Sequence, residues 1–273
     1  MISHEIPLNI RTNVQEEYDL YFQLPKIGFG TYRVTDINVI ISAISNGYQH
    51  FDVAELYKNE DIVRSAIDKF PDKKIYITTK ISKKAIFNNK IEESFYERLS
   101  KFKYIDILLL HTPSINCKRD WDILVSLYIK NKDKIRYIGV SNYNVEHLEQ
   151  ILASSIQPYC NQIEITPFYI RKELVKYCRD NNILIISHTS LTRAERLDNH
   201  VLIDMSKKYN ISTAKLLLKW AIQNNYYVIP KANSNEHQLE NIFSNCKITI
   251  NQGDMFKLDE LNDNFHITKV NLQ

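Results

Sequence analysis

Glycine is scarce, with five in 273 residues, and its one Gly-x-Gly pair, Gly28-Phe29-Gly30, has Arg33 where a dinucleotide fingerprint needs its third glycine. No such pair opens a helix, so a Rossmann-type phosphate loop is excluded. The four cysteines, Cys117, Cys160, Cys178 and Cys246, never fall in Cys-x-x-Cys spacing. That argues against a zinc ribbon or a thioredoxin-like redox centre and makes reduced thiols in the cytoplasm the expectation. No run of 18 apolar residues occurs, so no spanning helix and no membrane partner are expected. Met1 to Arg11 has no continuous apolar segment, and a signal peptide is not expected either. No Pro/Gly/Ser-rich linker divides the chain. The basic residues are dispersed, and a net charge of +3 falls short of a nucleic-acid footprint. Heavy use of Asn, Ile, Lys and Tyr reads as base-composition bias, so residue counts alone carry little weight.

What is present is alternation. Eight short β-branched runs, near Lys26–Thr31, Gln49–Val53, Lys74–Lys80, Ile105–His111, Arg136–Ser141, Tyr159–Ile165, Ile183–His188 and Tyr226–Lys231, are separated by stretches of helical period. Repeated βα units predict a parallel sheet. Helices are expected from Asp36, over Val145–Leu152 and Arg171–Cys178, and over Ser212–Ala221, with Asn144 and Ser212 as N-caps. Eight strands with their helices predict one (β/α)8 (TIM) barrel over residues 25–273. Residues 1–24 form an N-terminal extension, in which Tyr18–Phe22 suggests a short hairpin plugging the barrel bottom.

Three successive runs close on titratable residues: Asp52, Lys80 and His111. Polar residues at the carboxyl ends of barrel strands converge on one point. Singly, each has an ordinary explanation, a helix cap, a solvated lysine or a core histidine. Together they are hard to obtain from structural demand, because a buried charge is costly unless paired. Tyr57 follows Asp52 by little more than a helical turn and can serve as a proton donor to a carbonyl oxygen. Its ordinary pKa near 10 is high for that task, so Lys80 is expected to favour the tyrosinate, with Asp52 holding Lys80 charged. His111 would set the angle of the substrate oxygen. No side chain delivers hydride, so an acid with an orienting histidine implies a nicotinamide cofactor rather than hydrolysis. A metal site is not expected: His50 and Asp52 alternate on one strand, but no further ligand cluster completes a set.

The ordered set Gly28–Tyr32, Asp52–Glu60, Leu110–Pro113, Ile138–Tyr143, Asn161–Glu164 and Ile229–Lys231 resembles the aldo-keto reductases across nearly the whole chain. The resemblance implies a (β/α)8 barrel that reduces aldehydes and ketones with NADPH, or NADH in its place, using Asp52, Tyr57, Lys80 and His111. It implies that Ser141, Asn142 and Gln162 contact the nicotinamide carboxamide. Lys231 keeps the lysine of the family's cofactor-binding Ile-Pro-Lys-Ser segment, and Glu240 and Asn241 match the family's adenine-binding pair. Three positions depart from the pattern, the first being Ala232 where the family has a serine after Lys231. His188 stands where the family has a tyrosine that stacks on the nicotinamide, in the segment His188-Thr189-Ser190-Leu191-Thr192, whose Leu191 keeps the family residue. His237 replaces the arginine that clamps the 2′-phosphate, and an imidazole gives at most one charged donor, so a weaker NADPH preference is expected.

Tyr32 and Thr112 occupy substrate-pocket positions where many members carry tryptophan, which implies a wide mouth for a small to medium aldehyde. The chain ends soon after Leu258–Asn262, leaving little tail to fold over the substrate. A monomer is expected. The competing reading is a non-catalytic, nicotinamide-binding regulatory barrel of the same fold.

Overall fold

A computed structural model describes residues 23–242 and 248–268. Eight strands, β1 (Phe29–Gly30), β2 (His50–Asp52), β3 (Tyr76–Ile81), β4 (Ile105–Leu110), β5 (Ile135–Ser141), β6 (Cys160–Glu164), β7 (Leu184–His188) and β8 (Tyr227–Val228), pair in sequence order, each parallel to the next. The sheet closes on itself: Ile27 bridges Val228, the Gly28 N–H donates to the Val228 carbonyl at 2.8 Å and the Gly30 N–H to Pro230 at 3.1 Å. Glycine is needed at this seam, because a Cβ on Gly30 would lie 2.5 Å from the Ile229 carbonyl oxygen. All eight strands coincide with the eight runs read from the sequence, and the outermost, β1 and β8, are shorter than expected.

The helices α1 (Ile37–Ser45), α2 (Glu60–Ile67), α3 (Lys83–Phe87), α4 (Ile91–Lys101), α5 (Cys117–Lys130), α6 (Val145–Leu152), α7 (Lys172–Asp180), α8 (His200–Tyr209), α9 (Thr213–Gln223), α10 (Asn235–Asn241) and α11 (Gln252–Asp259) accompany them. Their starts follow local chemistry. Asp36 accepts from the Asn38 N–H, and Ser212 accepts from the Lys215 N–H. Asn144 forms a capping box in which its own N–H donates to Nδ1 of His147. Such caps satisfy N–H groups that the first helical turn leaves open.

Alternate residues of each strand face opposite ways, which splits the core in two. Phe51, Ile77, Ile81, Leu108, Leu110, Ile138, Val140, Ile163 and Ile185 pack outward in the large apolar layer beneath the helices. Tyr76, Ile107, Leu109, Cys160 and Ile186, with Ile229 and Leu24, form a separate cluster in the lumen. Leu24 is the last residue of the expected N-terminal extension, and it is buried there. The hairpin expected at Tyr18–Phe22 lies outside the described residues. Among the described residues no helix is long and apolar enough to cross a membrane.

Candidate active site

The same alternation delivers the polar residues. Asp52 follows His50 by two, Lys80 follows Tyr76 by four, Ser141 follows Tyr137 by four, Gln162 follows Cys160 by two and His188 follows Ile186 by two. Each therefore faces the lumen in the carboxyl-terminal part of its strand, Asp52, Ser141 and His188 as the last residue, Lys80 one before the end and Gln162 two before it. His111 comes one residue after β4, where its N–H donates to the Ile81 carbonyl at 3.1 Å. Tyr57 ends a short 3-10 turn, Glu55–Tyr57, that leaves β2.

At the centre Lys80 Nζ lies 2.5 Å from Oδ1 of Asp52 and donates to the Val53 carbonyl at 2.9 Å. Asp52 Oδ2 accepts from Nε2 of Gln162 at 2.6 Å. Both members of the ion pair are buried, Lys80 at 0% exposure and Asp52 at 1%. Burial raises the Asp52 carboxyl and lowers the Lys80 ammonium, while their mutual attraction opposes both shifts. The two further hydrogen bonds favour the charged forms, because a buried pair is sustained only when its remaining lone pairs and protons are also satisfied. The ring of Tyr57 stands above, its centroid 5.1 Å from Lys80 Nζ and 6.0 Å from the His111 ring.

The expected effect of Lys80 on Tyr57 is corrected here. Burial, and then the charges of Asp52 and Tyr32, push the Tyr57 phenol well above its ordinary range, so it rests protonated rather than as tyrosinate. Loss of solvent is the largest of these causes, and the anion at Asp52 adds to it. His111 is driven the other way: burial, then Lys80 and His188, hold it far below an ordinary imidazole, so it is neutral. Its Nδ1 is buried without a hydrogen-bond partner.

Beside this group Ser141 donates to the Gln162 carbonyl at 2.9 Å. Asn142 adopts a left-handed backbone, φ 63°, and its Nδ2 donates to the His111 carbonyl at 3.2 Å and to Ser141 Oγ at 3.1 Å. Its Oδ1 accepts from Nε2 of His188 at 2.9 Å. An amide oxygen only accepts, so neutral His188 carries its proton on Nε2, and its Nδ1 takes the Thr189 hydroxyl at 3.0 Å. Burial and three nearby cations push His188 down to about 3. Both bonds lie in the ring plane, which leaves the faces of the imidazole for stacking. Leu191, next to the second 3-10 turn, is half-buried.

Lys231 is exposed beyond β8, with a pKa lowered by burial of its amine and then by Arg33. His237 is exposed in the first turn of α10, where its N–H donates to Ser234 Oγ at 3.2 Å. Glu240 is half-buried and Asn241 buried on the same helix. Two further cations were not anticipated. Arg33 and Arg193 both stand over the Tyr32 ring, 5.2 and 5.9 Å from its centroid. Among the described residues neither they nor Lys231 has a carboxylate partner. The signal for Arg193 was its place two residues after Leu191, but only the fold brings it beside Tyr32. Three cations without anions at a lumen rim fit the phosphates of a nicotinamide nucleotide.

Tyr32 (38% exposed) also packs edge-on to Tyr57 at 5.1 Å, and Thr112 is buried. The short-tail expectation is corrected as well. The segment after α11 returns to the barrel, and both oxygens of Glu164, the last residue of β6, accept from it: the Ile267 N–H at 2.8 Å and the Thr268 N–H at 2.7 Å. Arg196 pairs with Asp263 at 2.9 Å and lies 4.2 Å from the Phe265 ring, while Tyr169 stacks on His266. Seven residues past Leu261 suffice because they run directly across the rim.

A closed eight-strand barrel whose lumen rim gathers a buried Lys–Asp pair, a neutral phenol and a neutral imidazole defines an enzyme of the carbonyl-reducing barrel class. Residues 26–263 match the model of the aldo/keto reductase family, and the chain belongs to that family. It is an NAD(P)H-dependent carbonyl reductase, as its members are. It is 31% identical over 272 residues to the uncharacterized oxidoreductase YtbE of Bacillus subtilis (strain 168), covering 94% of this chain and 96% of that protein. It is 34% identical over 253 residues to the glyoxal reductase of the same organism, covering 88% and 90%. Its structure is similar to that of an aldo-keto reductase from a Medee basin deep-sea metagenome library, with TM-score 0.82, 28% identity and coverage of 92% and 96%.

Proposed function

We propose that this enzyme reduces small 2-oxoaldehydes of the glyoxal and methylglyoxal type with NADPH, Tyr57 donating the proton. The observation that carries the reading is the ion pair of Lys80 and Asp52 beneath the Tyr57 ring. The substrate class draws on two similar proteins named glyoxal reductase and methylglyoxal reductase, the second from Escherichia coli O157:H7 at 30% identity over 231 residues. Tyr32 and Thr112, in place of the family's tryptophans, would leave room for a small substrate taken without tight apolar walls.

Arg33, Arg193 and Lys231 would hold the phosphates of the cofactor, and Ser141, Asn142 and Gln162 its carboxamide, with the imidazole face of His188 against the ring. Bound there, the nucleotide supplies a hydride for the carbonyl carbon. The carbonyl oxygen, as it gains charge, is met by His111, which as a neutral imidazole can donate one hydrogen bond without competing for the proton. Tyr57 holds its proton until that oxygen becomes basic enough to take it. The phenolate then left faces the Lys80 ammonium, and opposite charges a few ångströms apart at an effective dielectric near 20 attract by roughly a few kcal/mol. That attraction is absent while Tyr57 is neutral, so it acts on the transition state and not on the resting enzyme. Asp52 and the Val53 carbonyl keep Lys80 charged and fixed. The reading extends to a monomer acting in the cytoplasm.

The test is the loss of absorbance at 340 nm with NADPH and methylglyoxal, run beside Tyr57→Phe. Turnover that falls by about 100-fold or more in the variant, the usual weight of general acid catalysis, supports the reading. Turnover that survives the substitution overturns it.

A further inference from the structure

Arg98 is the largest charged side chain buried away from the lumen, at 1% exposure on α4, outside the barrel wall. Its guanidinium meets two carboxylates that bracket Tyr57 in the chain. Nη1 lies 3.1 Å from Oε2 of Glu55, two residues before Tyr57, and Nε lies 2.9 Å from Oε2 of Glu60, three residues after it. The Nε contact is an ion contact rather than a directed hydrogen bond. Nη2 reaches out to Glu97 at 2.7 Å, so the outer edge of the group is satisfied too.

Each carboxylate is fixed a second time. Glu55 Oε2 also accepts from the Ser82 N–H at 2.9 Å and from Ser94 Oγ at 2.7 Å. Glu60 Oε1 accepts from the Thr79 hydroxyl at 2.6 Å, and Thr79 precedes Lys80 on β3. On the other side of the segment Asn59 Nδ2 donates to the carbonyls of Thr31, at 2.7 Å, and Val34, at 2.9 Å. Within it Lys58 holds a left-handed backbone, φ 53°. A residue with a side chain keeps that conformation only where its surroundings over-determine it. Within the turn Leu56 is 60% exposed, so apolar anchoring comes only from the buried Ala54 that precedes it and from the Tyr57 ring itself. Polar clamps at both ends complete the hold on the segment and set where the phenol stands.

From this we infer that Arg98 is a positioning residue for Tyr57, gripping Glu55 and Glu60 so that the phenol is held over Lys80. The inference rests on the reading of Tyr57 as the acid. Arg98 touches no substrate, cofactor or reacting atom, and it acts through the backbone of residues 55–60. Its guanidinium suits the task because one planar fork addresses two carboxylates at once, which an ammonium does not. A displacement near 1 Å of a reacting group can cost about 100-fold in rate. Loosening the clamp should thus appear in kcat and not in cofactor binding, because Arg33, Lys231 and Ser141 lie on other strands and loops.

The experiment compares wild type, Tyr57→Phe, Arg98→Met, Arg98→Lys and Glu55→Gln in the methylglyoxal assay. NADPH affinity is measured by fluorescence, and amide hydrogen exchange is read across the chain. The expected result for Arg98→Met is a kcat lowered by about tenfold to 100-fold, given that misplacement cost. NADPH affinity is unchanged and faster exchange is confined to residues 55–60. Arg98→Lys restores kcat in part, and Glu55→Gln lowers it in the same direction. Unchanged kcat in folded Arg98→Met overturns the inference, as does a loss of NADPH affinity with faster exchange throughout the barrel. If Arg98→Met does not fold, Glu55→Gln and Arg98→Lys decide alone, and unchanged kcat in both overturns it. Wild-type turnover that persists in Tyr57→Phe removes the reading of Tyr57 and the inference with it.

Discussion

Gln162 donates from Nε2 to Oδ2 of Asp52 at 2.6 Å, across the lumen from β6 to β2, while Oδ1 of the same carboxylate holds Lys80. Lys80 and Gln162, from strands β3 and β6, thus share one buried carboxylate. The contact links the side expected to bind the cofactor carboxamide to the side that carries the acid. Each oxygen of Asp52 has a partner, and removing the carboxylate leaves Lys80 without a counter-ion and Gln162 Nε2 without its acceptor.

Asp52→Asn should destabilise the fold by about 3–5 kcal/mol, the usual result of leaving a buried charge unpaired. The double variant Asp52→Asn with Lys80→Met should recover part of that loss, since it removes the stranded ammonium. Urea unfolding of both, read as a double-mutant cycle, checks the prediction. A double variant less stable than the single one would show that packing, not charge, dominates.

His50 lies at the lumen end of β2 with no exposure, Nε2 on the Thr78 hydroxyl at 2.9 Å, and burial followed by Lys80 pushes it down to about 3. In the unfolded chain it takes a proton near 6.5, in the folded chain only near 3. Between those values the unfolded state holds the extra proton, so stability rises with pH, by about 1.4 kcal/mol per pH unit for this one group. The contribution is complete above pH 6.5 and is lost as pH falls toward 3. Chemical denaturation from pH 4 to 7 should show His50→Gln with a slope about one proton smaller than wild type.

His237 stands exposed near the start of α10, where a 2′-phosphate is expected. His237→Arg should tighten NADPH about tenfold and leave NADH unchanged, because a charge-assisted hydrogen bond is worth about 1.5–3 kcal/mol. Fluorescence titration with both cofactors tests this. Equal gains for the two would place residue 237 away from the 2′-phosphate.

Glu164 fastens the returning tail through two backbone N–H groups. Glu164→Ala should release residues 262–268, raise KM for the carbonyl substrate by several-fold and leave the fold intact. Hydrogen exchange at the tail amides and steady-state kinetics are the readouts. Unchanged exchange would mean that Arg196 with Asp263 and the stack of Tyr169 on His266 are sufficient.

Much of this site was legible in the chain. Strand ends such as Asp52 and Lys80 could be found because a parallel barrel makes each strand a short apolar run, and a charge closing such a run stands out locally. His111 could be found for the same reason, whereas Ser141 and Gln162 were legible only through the resemblance to the aldo-keto reductases. The caps at Asn144 and Ser212 were readable because their partners lie within three residues. Arg98 was not readable. Its helix presents it among ordinary charged residues, and the pattern around Glu97-Arg98 looks like any solvated face.

What the sequence determined by itself is the order and spacing of eight strands, their period of two, and so which side chain of each must face inward. Those are local properties, set by sterics and by the sorting of apolar from polar groups along a few residues. The tertiary structure alone decided which inward residues touch. It gave Asp52 both Lys80 and Gln162, pinned His188 to Asn142, set Arg33 and Arg193 over Tyr32 and brought the tail back to Glu164. It also decided that Tyr57 rests protonated. Dielectric environment and the reach of the Asp52 charge depend on distances across the barrel, and no spacing along the chain encodes a distance between strands until the barrel has closed.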